Sequence, residues 1–135
     1  MVVERILVLH SLRDSQSRQR VRQMANSPRL AAYQIDHYFI MEDLAWGVDY
    51  HLDNMVADLG DKIQGFRPDI VVVHIGTVYH SAPRRYLKTI NELARAYPTV
   101  RFAADQPLLG SEEFQGLRPG DDPQVDRIIL ELDGL

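Results

Sequence analysis

Residues 66–80, Phe-Arg-Pro-Asp-Ile-Val-Val-Val-His-Ile-Gly-Thr-Val-Tyr-His, constrain the fold more than any other stretch of this chain. From Ile70 to Ile75 every residue but His74 is β-branched, with Arg67-Pro68-Asp69 before the run and Gly76-Thr77 after it. A short continuous apolar run between turn residues reads as a strand covered on both faces, the situation of a parallel sheet lying between helices. Open α/β sheets hold their ligands in the crevice beyond the carboxyl ends of the strands. Gly76, Thr77, Val78, Tyr79 and His80 therefore fall where a ligand would sit, and Val78 is an apolar residue where polar chemistry is expected.

The remaining pattern builds outward from that strand. Ile6 to Leu9 is a first buried strand ending in His10-Ser11. Asp14 to about Leu30 is polar and Arg/Gln-rich, with Val21 and Met24 at helical spacing. Asn26-Ser27-Pro28 interrupts it, because proline disfavours helical backbone in the residue before it. Tyr33 to Ile40 alternates apolar and polar, as a strand near the sheet edge does. Glu42 to Gly47 is expected to be a loop. Leu52, Met55, Val56, Leu59 and Ile63 mark a helix closed at Gly65, and Tyr86-Leu87, Ile90, Leu93-Ala94 and Tyr97 mark another stopped by Pro98. Val100 to Ala104 reads as a strand, 110–122 as a loop, and Val125, Ile128-Ile129 and Leu132 as a terminal helix. With right-handed crossovers, the order β-α-β-α-β-α-β-loop-α gives a three-layer α/β/α sandwich around a flavodoxin-like parallel sheet of four to five strands. A length of 135 residues, 45% of them hydrophobic, suits one compact domain over 1–135.

A net charge of −4 argues against a nucleic-acid partner held through phosphates. Arg13, Arg18, Arg20 and Arg22 form a local basic cluster, but Asp14 interrupts it and helical geometry spreads it, so it reads as a solvated face. The chain has no cysteine, hence no disulfide, thiol nucleophile or thiolate metal site. No apolar run approaches the ~20 residues of a membrane span, and no leader-like segment opens the chain, so no membrane partner and a cytoplasmic location are expected. Nothing in the sequence sets an oligomeric state.

Leu9-His10-Ser11-Leu12-Arg13 contains no glycine, which argues against a phosphate-cradling loop and a nucleotide cofactor; no cofactor is expected. A receiver domain shares the layout. It needs an acidic pair after the first strand and an aspartate ending the third, where this chain has His10-Ser11 and His74, so phosphoacceptor chemistry is not expected. His10, His74, His80 and Asp105 all approach the carboxyl edge, yet their spacing matches no ligand signature and no metal is expected. Ser11 follows a buried strand beside the start of the next helix, whose amides favour negative charge. That position suits a nucleophile and its oxyanion, or equally a helix cap.

Taken together, these segments resemble the GDSL/SGNH hydrolase family, whose four blocks follow one another along a flavodoxin-like domain. Leu9-His10-Ser11 occupies the place of the Gly-Asp-Ser nucleophile block, and Gly47 that of the oxyanion-hole glycine. Pro68-Asp69 through Gly76-Thr77-Val78-Tyr79 fits the frame of the Gly-x-Asn-Asp block. Gln115-Gly116-Leu117-Arg118-Pro119 has the shape of the Asp-x-x-His block. The resemblance implies a nucleophile at Ser11, but it sets Val78 at the oxyanion-hole asparagine, Gln115 at the triad aspartate and Arg118 at the base histidine. Arginine stays protonated and takes no proton from serine. One lost oxyanion donor lowers the rate ~100- to 1000-fold, and triad members act as a unit.

The expectation that follows is a catalytically impaired hydrolase-like domain used for protein interaction or for a small anionic or acyl ligand. His10, Gly47, Gly76, Thr77, Val78 and Arg118 would line its site, Arg118 acting beside Ser11 as an anion clamp. An alternative is an active serine esterase, in which Ser11 attacks an ester substrate and His80 is the base, oriented by Asp105. A further alternative is an unrelated flavodoxin-like signalling module whose likeness to the hydrolases is convergent.

Overall fold

The structure, a computed structural model, describes residues 3–12, 15–41, 47–74, 83–105 and 114–133. In chain order these form β1 (Arg5–Leu12), α1 (Ser15–Asn26), a single 3₁₀ turn (Pro28–Leu30), β2 (Gln34–Met41), α2 (Gly47–Phe66), β3 (Ile70–His74), α3 (Pro83–Ala96), β4 (Arg101–Ala104) and α4 (Pro123–Asp133). The strands lie in the order β2-β1-β3-β4, every neighbouring pair parallel. This is the flavodoxin-like α/β arrangement that the sequence predicts. Leu117 adds the stub of a fifth strand: its N–H donates to Phe102 O at 2.7 Å and its carbonyl accepts Ala104 N–H at 2.9 Å.

Side-chain alternation explains the layers. Leu7, Leu9, Val71, Val73 and Phe102 point to one face, where α2 and α3 cover them with Met55, Leu59, Ile63, Leu87, Ile90 and Leu93. Ile6, Val8, Ile70, Val72 and Ala103 point to the other, against Met24 of α1, Leu30 and the apolar stripe of α4. The central strands β1 and β3 are thus buried on both faces, which is why they read as continuous apolar runs. Among the described residues no helix is long and apolar enough to cross a membrane.

Several boundaries differ from the sequence expectation: β1 runs on to Leu12, so Ser11 lies within the strand rather than after it. Helix α2 starts at Gly47 and runs through Gly65, ending only at Phe66. Arg67 then takes a left-handed φ of +53°, its N–H reaching back to Ile63 O at 2.8 Å, and Pro68 bars continuation. Arg5 finishes the terminus: Nε donates to Phe66 O at 2.7 Å while the guanidinium lies 4.6 Å from the centre of the Phe66 ring. Strand β3 begins at Ile70 because Asp69 is used as a latch. Its Oδ2 accepts the N–H groups of Glu4 at 2.8 Å and Arg5 at 3.0 Å. Its own N–H donates to Arg5 O, and its carbonyl accepts Arg101 N–H, so one residue joins the starts of β1, β3 and β4.

The outer edge of β2 is guarded. Gln34 N–H donates inward to Glu4 O at 2.8 Å, so in parallel pairing residues 35, 37 and 39 aim their backbone groups away from the sheet. The Asp36 carboxylate accepts the His37 N–H at 2.9 Å and pairs with Lys62 at 3.0 Å, placing a charge across that edge.

Candidate functional site

The strand order reverses direction between β1 and β3, and the crevice outside their carboxyl ends is where a fold of this kind accepts a ligand. Backbone register sets His10 of β1 opposite His74 of β3, with Ser11 one residue further on. The chain after β4 reaches the same edge through Asp105, whose N–H donates to Val73 O at 3.2 Å. Gly76, Thr77, Val78 and His80 lie outside the described residues.

His10 is fully buried. Its Nε2 is 3.0 Å from His37 Nδ1, and its ring stacks on Phe39 with 4.7 Å between centroids. A hydrogen bond between two ring nitrogens needs one donor and one acceptor, so at least one of the two rings is neutral. Burial pushes the His37 imidazole below its ordinary value of 6.5; nearby Asp36 opposes the shift and Lys62 adds to it. The unfolded chain therefore takes up this proton at a higher pH than the folded one. His37 contributes stability that is complete above about pH 6.5 and lost as the pH falls below it. The urea midpoint should fall between pH 7.5 and 5.5, and His37→Gln should flatten that slope; an unchanged slope would show that another group sets it.

On the α1 side of the same edge, burial lowers the Arg20 guanidinium, and the Asp105 carboxylate counters it. Asp105 follows Ala103 by one alternation, so it belongs to the face that α1 and α4 cover. This end of the sheet thus holds buried imidazole and a partly buried cation with its counter-charge. Arg20 and His37 escape a reading of the sequence alone. The cue for Arg20 is its place four residues before the buried Met24, and for His37 its place two residues after Ile35 on an alternating strand.

The other expected site residues are dispersed. Gly47 is the first residue of α2. Arg118 lies beyond β4, three strand spacings from Ser11, about 14 Å of lateral separation. Its backbone N–H donates to Asp121 Oδ2 at 2.8 Å and its side chain faces the same carboxylate.

The whole Gln115–Asp122 stretch does structural work. Gln115 N–H donates to the buried Asn91 Oδ1 at 2.9 Å, and its side-chain oxygen accepts from Arg95. A Cβ on Gly116 would meet Phe102 O at 2.4 Å. Gly120, at φ +94°, donates to both carboxylate oxygens of Asp126. Asp122 caps α4 through the N–H groups of Gln124 and Val125, and pairs with Arg101 at 3.2 Å.

No protein-family model matches the chain, and no curated protein is significantly similar to it. Among solved structures, the crystal structure of a CheY-like protein, TadZ, from Pseudomonas aeruginosa PAO1 is similar with a TM-score of 0.55. The match covers 96% of this chain and 98% of that one at 11% identity. At such an identity the likeness is one of fold: a flavodoxin-like parallel sheet of the CheY type, traversed from end to end.

Proposed function

We propose that this chain is a flavodoxin-like signalling module that acts by binding a partner protein, without phosphoryl transfer or ester hydrolysis of its own. The observation that carries the reading is the end-to-end likeness to a CheY-like protein, combined with His10-Ser11 and His74 at the ends of the two central strands. A phosphoacceptor site needs a carboxylate nucleophile and further carboxylates for a hard cation. Neither strand end supplies one. The hydrolase resemblance loses support because Gln115 and Gly116 join the fifth-strand stub to α3 and β4, and Arg118 closes the turn before α4 on Asp121.

Two measurements test this together. The protein is incubated with short-chain p-nitrophenyl esters, alongside Ser11→Ala, and separately with acetyl phosphate and Mg²⁺ followed by intact-mass analysis. The expected result is no Ser11-dependent turnover and no phosphoryl adduct. Turnover abolished by Ser11→Ala would restore the serine-esterase reading, and a covalent phosphoryl adduct would overturn a phosphorylation-independent module.

A further inference from the structure

A groove of about 620 Å³ opens between the C-terminal half of α1 and the edge strand β2, on the flank of the sheet and away from the β1–β3 crevice. Its size lies within the ~300–1,000 Å³ range of small-molecule sites. Alternation along the edge strand turns Tyr33, Ile35 and His37 toward the face that α1 covers, and Val21 and Met24 line the groove from the helix. Asn26 and Ser27 lead from α1 to the Tyr33 end. There Leu30 N–H donates to Ser27 O at 3.2 Å, and Tyr33 N–H donates to Leu30 O at 3.0 Å.

The walls are sorted by polarity along the groove. Asn26, Ser27 and Tyr33 gather at one end and His37 stands at the other. Ile35 lies between them, packed against the cluster that holds Met24 and Leu30. Among the described residues no Lys, Arg, Asp or Glu lines the groove, and burial holds the His37 imidazole below its ordinary value of 6.5, hence neutral at pH 7. Both ends keep hydrogen-bonding capacity. Ser27 stands at the N-cap of the 3₁₀ turn, yet its hydroxyl makes no capping bond. His37 engages His10 through Nδ1, and among the described residues neither its Nε2 nor the Tyr33 hydroxyl makes a hydrogen bond.

Such walls select the occupant. An ion finds no counter-charge on them, and a plain hydrocarbon would strip water from the polar ends without replacing its hydrogen bonds. Residues 33 and 37 are about 13 Å apart on extended backbone, and a hydrogen bond of about 3 Å at either end leaves about 7 Å between the polar atoms of a ligand. We infer that the α1–β2 groove binds a small neutral molecule with a flat apolar body and a hydrogen-bonding group at each end, an aromatic diol in type. One hydroxyl meets His37 Nε2 and suits either tautomer, since it both donates and accepts. The other meets Ser27 and Tyr33, while the ring body lies along Ile35 and the Met24 thioether. The inference is independent of the partner-binding function proposed above; it adds a ligand site to the fold.

Calorimetric titration of the whole protein with naphthalene-2,6-diol tests it. One saturable site is expected. 2-Naphthol, with a single hydroxyl, should bind roughly two- to tenfold more weakly, the loss of one neutral hydrogen bond. Ser27→Ala with Tyr33→Phe removes two hydroxyls that hold nothing else among the described residues, and should bring the diol down to the affinity of 2-naphthol. Ala25→Trp, at an exposed position on the wall, should abolish binding while leaving the circular dichroism and melting unchanged. Naphthalene-2,6-dicarboxylate, of similar shape with charged ends, should not bind. Non-saturating diol, equal affinity for 2-naphthol, binding retained in folded Ala25→Trp, or a dicarboxylate that binds as tightly would each overturn the inference.

Discussion

Asp69→Ala should lower the unfolding free energy by about 3 kcal/mol, on the basis of ~1.5–3 kcal/mol for each hydrogen bond to a charged group. The carboxylate accepts two backbone N–H groups, and their surroundings differ. That of Glu4 is exposed and will find water, so it contributes little to the loss. That of Arg5 is partly buried, and the substitution leaves it without the acceptor it now has. The damage extends to the neighbours, because Arg5 also closes the end of α2 through Phe66. Asp69→Asn keeps an acceptor but not the charge, and about half the loss is expected. Urea titration at pH 7 reads both variants; a change under about 0.5 kcal/mol for Asp69→Ala, the range of an ordinary surface substitution, would show that the latch is incidental.

The second large effect belongs to Gly116→Ala. The new methyl would lie 2.4 Å from Phe102 O and 2.5 Å from Phe114 Cζ. The first contact admits no easy relief, since that same carbonyl accepts the Leu117 N–H at 2.7 Å. Overpacking against side chains costs ~1–3 kcal/mol, and displacing backbone places this variant at about 3 kcal/mol. The injury should also be local. Hydrogen exchange should lose protection at the Leu117 and Ala104 amides, while the amides between β1 and β3 exchange at their original rates relative to the global opening. Preserved protection at Leu117 would mean that the stub tolerates a side chain there.

These two residues show how far the sequence could be read. Pro68-Asp69 and Gln115–Pro119 match the outline of hydrolase blocks because glycine, proline, aspartate and arginine also make turns and caps. The structure accounts for them through the register of strand starts and the docking of a fifth-strand stub. Strands β1 and β3 were legible because burial on both faces writes itself as an unbroken apolar run. The edge position of β2 was legible from alternation. The start of α2 was not, since Gly47 to His51 carries no apolar period, and Gly65 ends nothing because the packed face of the helix outweighs one poor helix former. The pairing of His10 with His37 was hidden for a different reason. It depends on the cross-strand register of β1 and β2, which local pattern does not encode. Gly76 to His80, where the sequence reading placed most of its chemistry, are outside the described residues.

The His10–His37 contact has room for only one added proton. A second would put two N–H donors face to face 3.0 Å apart beneath α1, with one of the rings fully buried. Among the described residues β2 has a neighbouring strand on one side only, and none of its described side chains is fully buried. Acid therefore acts at a strand on the margin of the sheet. Proton uptake by the fold is thus coupled to the pairing of β2 with β1.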